Sequence, residues 1–142
     1  MSARTITVEH NGKTYTGQIM TIESTSLGVE DHGIVTAYLH CKADGVGIGV
    51  GGFCLDTPVR DADDKFVGRE GTAFGLDHIM TLVNTVGAGS WEQLKGREVI
   101  VLFKGSSLWG STAAGLTGLT NDRVMILAEH ADAWSSRDEA TR

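Results

Sequence analysis

From Gly45 to Gly52 the chain reads Gly-Val-Gly-Ile-Gly-Val-Gly-Gly, glycine alternating with β-branched residues over the length of a strand. As a motif, Gly47, Gly49 and Gly52 satisfy G-x-G-x-x-G. The next residues, Phe53-Cys54-Leu55-Asp56-Thr57-Pro58, cannot open a helix, so neither a helix dipole nor a set of free N–H groups stands ready for a pyrophosphate. The dinucleotide fold is excluded. Side chains on a strand alternate between faces, so Val46, Ile48 and Val50 share one face and Gly47, Gly49 and Gly51 the other. If Lys42 to Gly45 turn so that Cys41 pairs with Val46, Tyr38 stands opposite Gly49, His40 opposite Gly47 and Thr36 opposite Gly51. Val35, Ala37, Leu39 and Cys41 then join the valines and Ile48 on a core face, for which a helix stripe of Leu76, Ile79, Met80 and Val83 is the natural cover. The other face is Thr36, Tyr38 and His40 beside bare backbone, a floor that a ring, a second subunit or a planar ligand can approach closely. Tyr38 folding across Gly49 is one way to fill it, and a bulge at Gly51-Gly52 would shift the pairing beyond Val50.

The composition sets limits around that strand. Nineteen glycines in 142 residues are nearly double the average share of about 7%, with one proline, Pro58. Net charge is -6, which disfavours a long nucleic acid, since neutralising phosphates needs clustered Lys and Arg. The longest strongly apolar run, Val99 to Phe103, is a strand's length and far short of a membrane span. The first residues lack a signal peptide's apolar core, so a cytoplasmic protein is expected. Cys41 and Cys54 are too few for a disulfide scaffold.

Strands are expected at Arg4 to Glu9 and Thr14 to Glu23, joined by an Asn11-Gly12 hairpin turn. Ser24 to Gly33 reads as an irregular connection. Ile34 to Cys41 and Val46 to Leu55 come next as strands, and Asp56 to Gly71 as a long polar loop with a small hairpin tip at Asp63 and Asp64. Thr72 caps a main helix from Ala73, closed by Gly87 and Gly89. Ser90 and Gln93 match a capping box for a short turn of helix. Arg97 to Lys104 reads as a central strand, apolar on both faces. Gly105 to Ser107 is a turn, Leu108 to Leu119 a glycine-weakened strand, and Val124 to Ala128 a last one. The expectation is one α+β domain over residues 1–128. It is mainly an antiparallel sheet of about five to six strands with one main helix on one face. A tail, frayed or a short docked helix, occupies residues 129–142.

Several constellations could carry chemistry. Asp31 and His32, with His40, offer a carboxylate and imidazoles for acid and base work, set against a plain polar loop with Gly33 at positive φ. Extending the strand pairing brings Cys54 toward His32, yet the ligand spacing of a zinc site is absent, and no metal or cofactor is expected. His78 flanks the helix stripe as a surface or boundary residue. Ser106, Ser107 and Ser111 have no neighbouring base and no nucleophile elbow. Arg69 and Thr72 lie where a loop meets a helix N-terminus, which favours an anion, unless Arg69 is spent on the Asp61 to Asp64 run. Lys104, with Arg97, is a further candidate phosphate partner.

Ile22 to Gly33, with Gly51 to Asp56 and Gly68 to Gly75, resembles a group of small proteins encoded by phages and prophages, and the similarity runs from about Gly12 to Leu102. Trp91-Glu92-Gln93-Leu94-Lys95-Gly96 matches a Trp-Glu-x-Leu-x-Gly step in the same order. The chain departs from the group between Gly115 and Val124, where a histidine-containing ending is missing. No activity carries over from the group itself. The resemblance implies a setting, the cytoplasm of an infected bacterial host. There, accessory proteins of this size often act on host defence, one strategy being a non-enzymatic sponge that holds an immune nucleotide signal uncleaved. Such a ligand is flat in its bases and anionic in its phosphates. Tyr38, His40, Gly47, Gly49 and Gly51 would seat the base, and Arg69, Thr72, His32 and Lys104 would meet the phosphates. Competing readings are a small hydrolase using His32, His40 and Asp31, and an inhibitor that binds a host protein through the glycine face or the Trp134 tail. A homo-oligomer is expected, because one helix cannot cover the glycine-bearing sheet.

Overall fold

The structure is a computed structural model and describes residues 5–104 and 112–140. The Gly105 to Ser107 turn, with Ser106, Ser107, Ser111 and the first part of the Leu108 to Leu119 strand, lies outside the described residues. Among the described residues nine strands and two helices succeed one another in order: β1 Thr5–His10, β2 Lys13–Asp31, β3 Ile34–Ala43, β4 Val46–Gly51, β5 Asp56–Arg60, β6 Phe66–Gly71, α1 Ala73–Val86, β7 Glu98–Lys104, β8 Ala113–Gly118, β9 Val124–Ile126 and α2 Leu127–Ala140. A single 3₁₀ turn, Trp91–Gln93, precedes β7. Seven strands form one antiparallel sheet ordered β4-β3-β2-β7-β8-β9, with β1 also on β2, and β5-β6 is a separate hairpin. The α+β architecture is as expected, with a wider sheet and a second full helix. No helix among the described residues is long and apolar enough to cross a membrane.

Three two-residue turns shape the first half: Asn11-Gly12, His32-Gly33 and Asp44-Gly45, each with both φ angles positive (51 and 76, 54 and 79, 46 and 81 degrees). That backbone matches the twist of the strands it joins, and a short polar residue followed by glycine tolerates it best. Because Asp44-Gly45 makes the turn alone, Ala43 pairs with Val46, Tyr38 with Gly51 and His40 with Gly49. The register is displaced by two residues from the expected one. An even displacement leaves every side chain on its face, so the core and floor assignments stand.

Ser24 to Gly33 is not an irregular connection. Ser24, Ser26 and Gly28 continue β2 and pair with His40, Tyr38 and Thr36, between irregularities at Ile22/Ser24 and Gly28/Asp31. Pairing with β3 overrides the loop-like composition. Likewise Asp56 to Gly71 is largely a hairpin rather than a loop, Asp56 pairing with Gly71. The Ser90 hydroxyl caps nothing; instead the Gln93 side chain accepts from the Gly89 N–H at 2.9 Å.

The core lies between α1 and one sheet face, where Met20, Ile22, Leu39, Val50, Val99 and Val101 meet Leu82 and Val86. Each fully buried aliphatic side chain there contributes about 1.5–3 kcal/mol. The face α1 turns inward is Gly75, His78, Leu82, Thr85 and Val86, with Val83 packed at its margin; of the expected stripe, Leu76 and Met80 turn outward. Leu76 is 62% and Met80 51% exposed. Gly75 explains the rotation: a Cβ there would run into the Leu55 carbonyl, so the helix approaches closest along its glycine. A smaller cluster of Tyr15, Leu102 and Ile126 fills the opposite face near β1.

The last described residues form a docked 14-residue helix, α2, beginning at Leu127 and so inside the segment assigned to the domain. Asp77 of α1 accepts from Trp134 Nε1 at 2.8 Å and lies 2.9 Å from His130 Nε2. Glu129 accepts from Asn11 at 2.7 Å, tying α2 to the first hairpin turn.

Candidate functional site

The glycine floor is already furnished. The Tyr38 ring lies over Gly49 and Gly52, where an added Cβ at Gly52 would fall 2.5 Å from the Tyr38 hydroxyl. His40 stacks beside it, ring centroids 5.9 Å apart and planes 15° off parallel, and shares a 2.9 Å hydrogen bond with Ser26. Gly51 leaves the strand with φ 125 degrees, its missing Cβ making room for the Ala37 carbonyl. Only Gly47 keeps its outer side open, with the Cys41 carbonyl 3.8 Å away. The groove of about 500 Å³ alongside takes part of its lining from Glu30 and none from Lys or Arg. A carboxylate without a cation repels an anion.

A second concavity forms on the α1 side of the sheet. After the left-handed pair Gly51 and Gly52 the chain turns Phe53 toward the core, and Leu55 N–H bonds back to the Val35 carbonyl at 2.9 Å. Asp56 opens β5, β6 returns antiparallel, and Arg69 reaches back to hold the Asp56 carboxylate with two hydrogen bonds of 2.8 and 2.9 Å. That grip, helped by the Val35 N–H and the Cys54 thiol, holds the buried Asp56 carboxyl down at about 2. Arg69 is thus spent, but on Asp56 rather than on the Asp61 to Asp64 run. Its Nη2 also reaches the exposed Cys54 sulfur at 3.4 Å. Thr72 accepts from Gly75 N–H at 2.9 Å, the cap the sequence implies, and donates to the Leu55 carbonyl at 2.9 Å. The α1 N-terminus therefore opens onto a cleft of about 460 Å³ walled by Phe53, Phe74 and Trp134, with Cys54, Asp56 and Thr72 among its polar lining.

The nine expected binding residues do not form one site. Arg69 and Thr72 flank the cleft. Tyr38, His40, Gly47, Gly49 and Gly51 lie at the other face of the sheet. His32 sits in the β2-β3 turn, and Lys104 borders a third hollow of about 410 Å³ with Phe53, Ala114 and Ile126. His32 and His40 stand eight positions apart on one extended strand and turn, on the order of 25 Å. One substrate atom cannot meet both. Among the described residues no three His, Cys, Asp or Glu side chains gather to hold a metal.

Behind Phe53 and Phe74 lies a residue that its sequence position does not betray. His78, expected at the surface or boundary, is fully buried, its ring 5.8 Å from Phe53, 5.7 Å from Phe74 and 5.7 Å from His130, and neither of its nitrogens has a hydrogen-bond partner. Burial away from water pushes its pKa down from 6.5 to about 4, with His130 adding to the fall and Asp77 opposing it. Cys41, buried in the core, has its thiol pushed up to about 12 and is inert toward electrophiles at neutral pH. Phe53, Phe74 and Trp134 carry no sequence signal as a group beyond being bulky residues in polar stretches. No protein-family model, curated protein or solved structure matches the chain.

Proposed function

We propose that the chain is a non-enzymatic binder of a small planar anion, of the nucleotide class, and that its seat is the Phe53, Phe74, Trp134 cleft rather than the glycine floor. The observation that carries this reading is the convergence of three aromatic side chains on one cleft at the N-terminus of α1. The walls suit a base, and the positive end of the α1 dipole, its Gly75 N–H capped by Thr72, suits an anionic group. The cleft's volume, about 460 Å³, is that of a small-molecule site. Arg69 stands behind Asp56 and neutralises that carboxylate of the lining. Sequestration without cleavage accords with the chemistry present: the Cys54 thiol in the cleft has as its neighbouring base the Asp56 carboxyl, which Arg69 holds down at about 2 and so makes a weak base. The likeness to phage accessory proteins would give such binding a purpose, removal of a host signal.

Native mass spectrometry of the full chain against a panel of cyclic and ADP-ribose-type nucleotides tests this. One member should bind and be recovered intact after heating, and Phe74→Ala should weaken it on the order of tenfold or more. Binding of none, or recovery only as hydrolysed product, refutes the proposal.

A further inference from the structure

One border of β2 is held first by β1 and then by β3, the other by β7. The β7 border stops where Thr21 pairs with Glu98 and Ile22 exchanges backbone hydrogen bonds with Gly96 and Arg97. From Glu23 to Asp31 no described strand lies on that side, while β3 continues along the other. This leaves an open sheet edge, with a row of backbone N–H and C=O groups turned outward.

The edge lacks the usual defences. Ser24 to Gly28, Ser-Thr-Ser-Leu-Gly, carries neither charge nor proline, and the irregularities fall at its ends. Just along it, Leu27 is 43% and Val29 57% exposed. The groove of about 500 Å³ runs beside this edge and draws its lining from both faces, Thr25 and Leu27 from one, Ser26, Gly28, Thr36 and Tyr38 from the other. A hollow that wraps the rim of a strand, rather than lying over one face, has the shape of an added strand.

We infer that a second copy of the chain fills it, its β2 adding antiparallel to this one about a two-fold axis at Ser26. That axis centres the uncharged, regular stretch. Ser26 faces Ser26, Thr25 faces Leu27, Ser24 faces Gly28 and, beyond them, Glu23 faces Val29, so no two acidic residues are juxtaposed. Moving the axis one residue to Leu27 would set Glu23 against Asp31 in a chain of net charge -6, and like charges directly opposite destabilise a pair. The patch is its own complement, as a two-fold interface requires. Thr25 and Leu27 of both copies come to one face, where they cover each other. The partner closes the open side of the groove, and the two sheets become one. This inference does not depend on the ligand reading.

Sedimentation velocity over a range of concentrations, with the full chain, tests it. The chain should run as a dimer, and Leu27→Lys should raise the dissociation constant on the order of tenfold or more while leaving the circular dichroism spectrum unchanged. In a Cys54→Ser background, Ser26→Cys should give a covalent dimer with a short thiol-to-thiol crosslinker, and Asp63→Cys, at the far hairpin tip, should not. A monomer at every concentration overturns the inference, including one that captures some other protein. So does a dimer that survives Leu27→Lys with no crosslink through position 26.

Discussion

His78 supplies the sharpest test of the packing. Its imidazole is fully buried with both nitrogens unpartnered, and a buried polar group left unsatisfied costs about 1–3 kcal/mol. Leucine is close in volume and apolar, and Phe53 and Phe74 already surround the site, so the replacement His78→Leu forfeits little packing, under about 1.5 kcal/mol. At pH 7 the variant should be more stable than the parent by about 1–2 kcal/mol, which for a chain of this length raises Tm by about 3–7 °C.

The pH dependence separates this mechanism from generic packing. With a pKa near 4 when folded and 6.5 when unfolded, His78 takes up a proton more readily in the unfolded chain. Acid therefore favours unfolding. The parent loses stability as pH falls from 6.5 toward 4, by about 2.5 kcal/mol at pH 4.5. The leucine variant lacks that group, so the gap between the two should widen by the same amount. Urea unfolding monitored by circular dichroism at pH 7 and pH 4.5 measures both quantities. A variant less stable than the parent at pH 7, with a gap that does not change at pH 4.5, would show that the His78 nitrogens are satisfied and refute the reasoning.

Two further perturbations probe the surroundings of the cleft. Arg69→Ala strips the Asp56 carboxylate of its two strongest hydrogen bonds, so the urea midpoint should fall at pH 7. Because Asp56 is held near 2 against an ordinary 3.8, its stabilisation is fully present above 3.8 and lost as pH drops toward 2, and thermal melts should show parent and variant converging over that window. Asp77→Ala removes the acceptor for Trp134 and the partner of His130. Tryptophan emission should shift to the red and amide exchange should quicken across Leu127 to Ala140, with the β2-β3 amides unaffected.

The features legible in the sequence are those that local chemistry controls. Asn11-Gly12 sets the first hairpin, and Thr72 and Gly87 bracket α1 at the ends the structure gives it, because turns and caps are decided within a few residues. The β3-β4 register comes out two residues off because Lys42 to Gly45 reads as the whole turn, when Asp44-Gly45 suffices. The face assignment survives the error only because the slip is even. The rotation of α1 is beyond reach: periodicity ranks side chains by hydrophobicity, and the deciding contact is a glycine against the Leu55 carbonyl. Ser24 to Gly28 looks like a loop for a similar reason, its partner β3 being the source of its order.

The site shifts for a reason visible in where the aromatic rings go. Of the nine Phe, Tyr and Trp residues, Tyr15, Phe103 and Trp91 are tied into the two cores and Tyr38 is laid across Gly49 and Gly52. A glycine row on a sheet creates a hollow that must be filled. The nearest large ring on the same face is Tyr38, so the strand that suggests a ligand seat also supplies its occupant. Of the other five, Trp109 lies outside the described residues, Phe66 is exposed, and Phe53, Phe74 and Trp134 are brought together by the Gly51-Gly52 turn, the α1 cap and the Asp77 anchor of α2 respectively. Their common result is an aromatic cleft bordered by the Thr72-capped N-terminus of α1. His78, buried behind Phe53 and Phe74 and neutral at pH 7, adds no charge to the cleft, and the α1 N-terminus is the feature there that favours an anion.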